Sequence, residues 1–136
     1  MDVTEEQARQ IVYSIHDAWN RRDLERMLSF YDEDLTFFAN LGGPNGNETV
    51  IKGKAKFLEA MSGWARLECM SVPQLFRFES GVARASVEFF IKDPKTGQSH
   101  SSTYRQIATF RNRKILRLEN YHDAAALMAF ISLMAK

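Results

Sequence analysis

Cysteine is almost absent from this 136-residue sequence, which has Cys69 alone. One cysteine excludes an intramolecular disulfide, and the spacing of the other possible ligands indicates no Cys/His metal site. An excess of charge of one sign is lacking too, since 18 Lys and Arg face 17 Asp and Glu. Such a balance gives no field that would attract nucleic acid or an anionic membrane surface, so we expect neither partner.

Long apolar runs and targeting signals are also missing. The longest apolar run, over 124–135, is too short and too interrupted to span a bilayer. The opening MDVTEEQARQ has acidic residues where a secretory signal needs basic and then apolar ones. Together with the lone cysteine, this predicts a cytoplasmic protein.

The apolar residues that are present suffice for a core. They make up 45% of the chain, and 12% of the chain is aromatic, which excludes a disordered protein. The length is typical of one domain, and no linker, repeat or low-complexity tract interrupts it. We therefore predict a single domain over 1–136.

The first half of the chain carries helical patterns. Thr4 and Gln7 match a capping box ahead of apolar residues at helical spacing, namely Ala8, Ile11, Val12, Ile15, Ala18 and Trp19. Asp23 is a suitable N-cap for a short second helix that runs through Tyr31. A strand is predicted over 35–39, followed by the loop LGGPNGNET and by a third helix after Gly53.

The second half alternates apolar and polar residues. Four strands are predicted over 67–78, 82–91, 99–110 and 115–121, joined by short turns into an antiparallel meander. A last helix follows, with Asp123 as a candidate N-cap. Segregated helices and strands define the α+β class. We expect a curved, cone-shaped antiparallel sheet that is wrapped by about four helices and encloses a pocket, with the last helix packed along the open edge or the mouth.

Two segments give the chain a family resemblance. AWNRRDLERMLSFYDEDLTFF over 18–38 and ATFRNRKILRLENYHDAAAL over 108–127, in this order of elements, resemble the SnoaL-like branch of the nuclear transport factor 2-like superfamily. The resemblance implies the cystatin-like cone described above. It does not name a reaction, because that superfamily mixes isomerases, cyclases, dehydratases, hydrolases and proteins without chemistry.

Most catalytic residues of these relatives are not matched. Where ketosteroid isomerases resemble this chain, their three proton-handling positions fall on Ile15, Ala39 and Ala108. The resemblance to limonene epoxide hydrolases places their Asp-Arg-Asp set on Glu88, Ser86 and Asn120. One match stands: the acid that polyketide cyclases of the SnoaL type place between last strand and last helix corresponds to Asp123.

The last strand supplies the candidate catalytic residues. Leu116 and Leu118 share a face that we predict to be internal, so alternation also turns Asn120 and His122 inward. His122 and Asp123 would form a pair able to divide proton transfer, with His122 or Asp123 as base. The alternative roles are a hydrogen-bonded structural histidine and a helix N-cap.

The neighbouring strands supply a candidate pocket wall. Tyr104 and Gln106 are polar residues on one face of the strand over 99–110. Glu88 is ambiguous, because alternation buries its neighbours Val87 and Phe89 whereas the family resemblance turns Glu88 itself inward. The candidate apolar lining consists of Ile15, Trp19, Phe37, Phe57, Met61 and Leu118. We expect Arg21 and Arg22 to be a solvated helix end, and His16 and His100 to be exposed.

These residues support two functions of different classes. The first is a cofactor-free isomerase, cyclase or dehydratase that removes a proton next to the carbonyl of a small hydrophobic compound, with Tyr104, Asn120 or Gln106 holding the oxygen. The second is a non-catalytic module that binds an apolar ligand or a partner chain. A weaker third is a hydrolase in which Glu88 activates water. No cofactor motif is found, and a homodimer is expected because relatives pair through the outer sheet face and the last helix is apolar on most sides.

Overall fold

Six strands and four helices make up the described part of the chain. The computed structural model describes residues 3–41 and 48–134. In chain order the elements are α1 (Glu5–Asn20), α2 (Leu24–Leu28), β1 (Tyr31–Ala39), β2 (Thr49–Lys52), α3 (Lys54–Trp64), β3 (Glu68–Glu79), β4 (Val82–Lys92), β5 (Ser99–Arg111), β6 (Lys114–Tyr121) and α4 (Ala124–Met134). This is the predicted α+β class.

The six strands form one sheet in the order β2-β1-β6-β5-β4-β3. The meander from β3 to β6 is antiparallel, as the alternating pattern predicts. The expectation of a wholly antiparallel sheet is wrong at one place, since β1 runs parallel to β6. A parallel neighbour is possible there because the long chain segment between the two strands provides the crossover that parallel pairing requires.

The start of α1 is capped as expected. Gln7 N–H donates to Thr4 Oγ1 over 3.2 Å, and Thr4 N–H donates to Gln7 Oε1 over 3.0 Å. Asp23 caps α2 by accepting from Arg26 N–H over 3.1 Å. Two boundaries differ from the prediction: Tyr31 begins β1 instead of extending α2, and the predicted loop contains β2. Residues 42–47 of that loop lie outside the described residues.

A β-bulge in β6 changes which leucine faces inward. Consecutive residues of β5, Thr109 and Phe110, pair with Arg117 and Ile115, so Leu116 is the extra residue. Ile115 and Leu118 are both buried, whereas Leu116 is partly exposed. The prediction that Leu116 shares the internal face was therefore wrong, because simple alternation fails across a bulge. Beyond the bulge alternation resumes, and Asn120 is inward.

The helices enclose the inner face of the sheet. α1 contacts β3, α3 contacts β1 and β2, and α4 contacts β5. The largest fully buried side chains include Tyr31, Leu35, Phe57, Val87 and Leu127, so every layer contributes to one cluster. No helix among the described residues is long and apolar enough to cross a membrane.

Arg22 is an anchor, not the solvated residue that we expected. Its guanidinium donates to the backbone carbonyls of Ala65, Leu67 and Cys69 over 3.1, 2.8 and 2.8 Å. These bonds connect the end of α1 to the segment between α3 and β3. The neighbouring Arg21 is exposed as expected and pairs with Asp17, one turn earlier.

Arg22 should therefore matter much more for stability than Arg21. We expect Arg22→Gln to lower the free energy of unfolding by about 2–3 kcal/mol, because three partly buried carbonyls lose a charged donor. The matched Arg21→Gln change should cost under about 0.5 kcal/mol, as exposed ion pairs do. Urea denaturation of both variants is the measurement, and equal losses would contradict the anchoring role.

Candidate functional site

A cavity of about 520 Å³ lies between the inner face of the sheet and the helices. Its walls come from every helix and every strand of the domain. Its lining includes Ile15, His16, Trp19, Met27, Tyr31, Phe37, Leu41, Ile51, Phe57, Met61, Trp64, Leu67, Ser71, Phe89, Tyr104, Gln106, Leu118, Asn120, His122, Met128 and Ile131. The volume suits a small organic molecule of two to four rings.

None of the described residues that line the cavity is an aspartate, glutamate, lysine or arginine. A charged ligand would lose its hydration there without gaining an opposite charge, so the cavity favours a neutral compound. Within residues 3–41 and 48–134, no three His, Cys, Asp or Glu side chains come close enough together to hold a metal ion. The polar side chains of the lining include His16 on α1, Ser71 on β3, Tyr104 and Gln106 on β5, Asn120 on β6 and His122 just after it.

His16 begins a chain of hydrogen bonds through this polar wall. Its Nδ1 lies 2.6 Å from Ser71 Oγ, and its Nε2 lies 2.9 Å from Gln106 Oε1. Gln106 Nε2 in turn donates to Asn120 Oδ1 over 3.0 Å. The expectation that His16 is exposed was wrong, since only 4% of it is accessible. Burial lowers the His16 pKa to about 4, so the imidazole is neutral at pH 7.

Asn20 holds the Ser71 end of this series of hydrogen bonds in place. Ser71 N–H donates to Asn20 Oδ1 over 2.9 Å, and Asn20 Nδ2 donates to Ser71 O over 2.8 Å. The two bonds fix β3 against α1 beside His16. The Ser71 hydroxyl is thereby held within reach of the imidazole.

His122 lies at the end of β6 with its ring in the cavity wall. The ring stacks on Tyr104, with centroids 4.2 Å apart, and meets the edge of Phe89 at 5.8 Å. Asn40 fixes the backbone by accepting from His122 N–H over 2.7 Å and donating to His122 O over 2.9 Å. Burial lowers the His122 pKa to about 4, which leaves a neutral ring.

The two rings differ in what they offer a ligand. His122 Nδ1 is shielded from water and has no hydrogen-bond partner among the described residues. Burial raises the pKa of the Tyr104 phenol well above its usual value, so the group keeps its proton and can donate. A neutral imidazole and a protonated phenol therefore stand side by side in the same wall.

All of the predicted site residues except two line the cavity. Glu88 lies on the outer face of β4, since Val87 and Phe89 are the buried residues on either side of it. Asp123 is exposed, and its carboxylate accepts from Ala126 N–H over 3.3 Å as a helix cap. The structure therefore does not bring Asp123 to His122, because neighbouring residues at this strand end point in different directions.

Several functional positions were missed by sequence reasoning. His16 falls on the apolar stripe of α1, four residues after Val12 and three before Trp19, and that spacing signalled burial. Ser71 is a small polar residue in an alternating strand, which carries no comparable signal. His100, also expected to be exposed, is partly covered and stacks on Phe130 of α4 at 5.6 Å.

Comparison with known proteins agrees with this geometry. The family model of the SnoaL-like domain matches residues 12–118. The chain belongs to the SnoaL-like family. No curated protein sequence matches it.

Solved structures show the same nuclear transport factor 2-like fold as this SnoaL-like chain. A proposed isomerase from Bacillus subtilis superposes with a TM-score of 0.81, with 16% identity over 96% of both chains. A proposed polyketide cyclase from Xanthomonas campestris pv. campestris gives 0.69, with 19% identity over 96% of this chain and 98% of the other. TerC, co-crystallised with polyporic acid, gives 0.74, with 18% identity over 96% and 99%. At these identities the likeness establishes the fold.

The two neutral histidines should make the protein less stable in mild acid. Both pKa values are about 4 in the folded chain against an ordinary 6.5, so the unfolded chain binds protons first as the pH falls. Stability is then full above pH 6.5 and declines toward pH 4. Each histidine should contribute a loss of about 2–3 kcal/mol between pH 7.5 and pH 4.5.

Urea denaturation of the His122→Phe variant and of the unaltered protein, each at about pH 7.5 and pH 4.5, measures the contribution of His122 to this loss of stability. The carboxylates are common to the two proteins, so their contribution cancels in the difference. The variant should lose less stability in acid by about 2–3 kcal/mol. Parallel pH dependence of the two proteins would show that His122 is not held neutral.

Proposed function

We propose that this chain binds a neutral, largely apolar carbonyl compound in the cavity and acts on it as an isomerase or cyclase. The uncharged lining supports the ligand class, because neutral apolar surface is what such a cavity can desolvate without loss. The polar groups that converge on one wall would orient the carbonyl oxygen. Relatives of the same fold include a proposed isomerase and a proposed polyketide cyclase, which makes this reaction class reasonable.

The observation that carries the proposal is the unpartnered His122 in the cavity wall. A proton on the carbon next to the carbonyl would move to Nε2 of His122, because Nδ1 is shielded inside the wall, and the C–H electron pair would become the enolate. The developing negative oxygen would accept hydrogen bonds from the Tyr104 hydroxyl or the Asn120 amide. Return of the proton from His122 to another carbon completes an isomerisation. In a cyclisation the enolate carbon attacks a second carbonyl, and the proton of His122 passes to the alkoxide oxygen that forms.

The low pKa of His122 has two consequences for this step. It keeps the imidazole unprotonated at neutral pH, so that the base form is present before the ligand binds. The low pKa also makes His122 a weak base in the protein without ligand. An enolate forming beside the ring would raise the His122 pKa, because an opposite charge stabilises the imidazolium.

A second candidate function is binding without chemistry. The observation that favours it is the uncharged lining, which leaves as the proposed proton acceptor a histidine, His122, whose pKa is only about 4. Glu88 and Asp123 contribute no carboxylate to the cavity, which also removes the support for Glu88 as a water-activating group. The two candidates differ in one measurable step, the removal of a proton from carbon.

Proton exchange on 2-tetralone in D2O, followed by ¹H NMR, tests that step. We expect the protein to accelerate exchange next to the carbonyl, and His122→Phe to reduce the acceleration by at least about 100-fold while retaining binding. Phenylalanine preserves the stacking on Tyr104 and cannot accept a proton. Binding is followed by the fluorescence of Trp19 and Trp64, which both line the cavity.

Two matched variants complete this experiment. Glu88→Gln and Asp123→Asn each remove a carboxylate that lies outside the cavity, and asparagine still caps a helix. Both should exchange 2-tetralone at the rate of the unaltered protein. Binding without any accelerated exchange would leave the non-catalytic function, and loss of exchange in Asp123→Asn alone would transfer the role of base to Asp123.

We also propose that the chain forms a homodimer through the outer face of the sheet. Met70, Val72 and Phe90 are exposed there, and Met70 pairs directly with Phe90 across β3 and β4. An apolar cluster of this kind is typical of a protein interface. The helix α4 adds exposed apolar surface, since Leu133 is an exposed large hydrophobic residue on it.

Sedimentation velocity at micromolar concentration checks the dimer. The unaltered chain should sediment as a dimer, and Phe90→Lys should sediment as a monomer because a buried lysine would be left unpaired in the interface. Val50→Lys, which alters an exposed residue on the distant strand β2, should remain dimeric. A monomeric unaltered chain would refute the proposal.

A further inference from the structure

The hydrogen-bond chain Ser71–His16–Gln106–Asn120 has a direction. Gln106 Oε1 faces His16 Nε2, and a carbonyl oxygen can only accept, so the histidine hydrogen is on Nε2. Because the buried imidazole is neutral, its Nδ1 carries no hydrogen and accepts from the Ser71 hydroxyl. Every hydrogen bond in the chain therefore points the same way, from Ser71 toward Asn120.

The series of hydrogen bonds ends at the cavity, on the Asn120 amide. Gln106 Nε2 donates to Asn120 Oδ1, which uses the oxygen of that amide. Asn120 Nδ2 then carries two hydrogens and makes no hydrogen bond within residues 3–41 and 48–134. Asn120 lines the cavity, so the group it offers to a ligand is a donor.

Reversal of a single amide is disfavoured by its neighbour. A turned Asn120 would bring its Nδ2 against Gln106 Nε2, two donors facing each other at 3.0 Å. Turning Gln106 as well would bring a donor against His16 Nε2–H. Full reversal requires both amides to turn and the histidine hydrogen to move to Nδ1 together.

We propose that these hydrogen bonds from Ser71 to Asn120 fix the Asn120 amide with its NH2 group toward the cavity. The site then selects a ligand with a carbonyl or quinone oxygen at that position. A ligand with a hydrogen-bond donor there would meet another donor and be rejected. His16 and Gln106 are positioning residues in this role, since they act through Asn120. The inference rests on the proposed ligand cavity and adds the chemical class of the atom that is recognised.

Three tricyclic probes of matched shape test the selection. 9-Fluorenone presents an acceptor, carbazole presents an N–H donor, and fluorene presents neither. We expect fluorenone to bind about fivefold tighter than fluorene and at least about fivefold tighter than carbazole, as one hydrogen bond gained or opposed would give. Displacement of Nile red from the protein measures all three affinities.

Variants then separate positioning from a general structural effect. Asn120→Leu should remove the advantage of fluorenone over fluorene. Gln106→Leu frees the Asn120 amide to turn, so the ratio of carbazole to fluorenone dissociation constants should fall to within about twofold of one. In the Asn120→Leu background, Gln106→Leu should leave that ratio unchanged. A merely structural residue would weaken all three probes alike and leave the ratio intact in both backgrounds.

The position of the hydrogen on the His16 imidazole can be measured in the unaltered protein, so this test needs no variant. ¹⁵N NMR of the unaltered protein should show His16 as the neutral form with hydrogen on Nε2 at pH 7. Hydrogen on Nδ1, or a doubly protonated ring, would overturn the proposed direction. Carbazole binding as tightly as fluorenone would overturn the selection.

The outcomes also distinguish this inference from the proposed function. Fluorenone has no hydrogen on the carbons next to its carbonyl, so it reports recognition without proton transfer. Failure of all three probes to bind would refute the ligand cavity and both proposals with it. Binding without preference would refute only the selection, and the 2-tetralone exchange would still decide the chemistry.

Discussion

The requirement that buried polar groups be paired shapes the polar wall of the cavity, where the shielded Nδ1 of His122 is an exception. A small sheet wrapped around a cavity must place polar side chains on its inner face if the cavity is to orient a ligand, and each unpaired group would cost about 1–3 kcal/mol. Ser71, His16, Gln106 and Asn120 meet this requirement by pairing with one another. Because they come from β3, α1, β5 and β6, the same bonds that satisfy the polar groups also hold the cavity walls together.

The absence of charge from the cavity follows from the same constraint. A lone carboxylate among these aromatic and aliphatic side chains would have no partner, whereas neutral imidazoles and a phenol can be buried at lower cost. The carboxylates are instead outside, where Asp32 and Asp34 bind Arg111 and Asp123 caps α4. Among the described lining residues the histidines are the side chains that could act as a base at neutral pH, which is why His122 carries the proposed chemistry.

Family resemblance and residue alternation made opposite predictions for Glu88 on β4, and there is a physical reason why alternation was correct. Alternation correctly buried Val87 and Phe89, since the pleat of a strand leaves Glu88 on the opposite face. Matching positions to distant relatives placed Glu88 inside, because at such distances a one-residue slip in a strand reverses its faces. The bulge at Leu116 shows the converse limit: alternation is reliable only between bulges.

The sequence by itself determined the class, the order of the elements apart from β2, and part of the cavity wall. Local signals suffice for these, since capping, helical spacing and strand alternation involve residues that are neighbours along the chain. The parallel pairing of β1 with β6, the anchoring contacts of Arg22, and the meeting of His16 with Ser71 and Gln106 were decided only by the tertiary structure. These contacts join residues 43 to 90 positions apart, and no local pattern records which distant hydrogen-bond donor will face which acceptor.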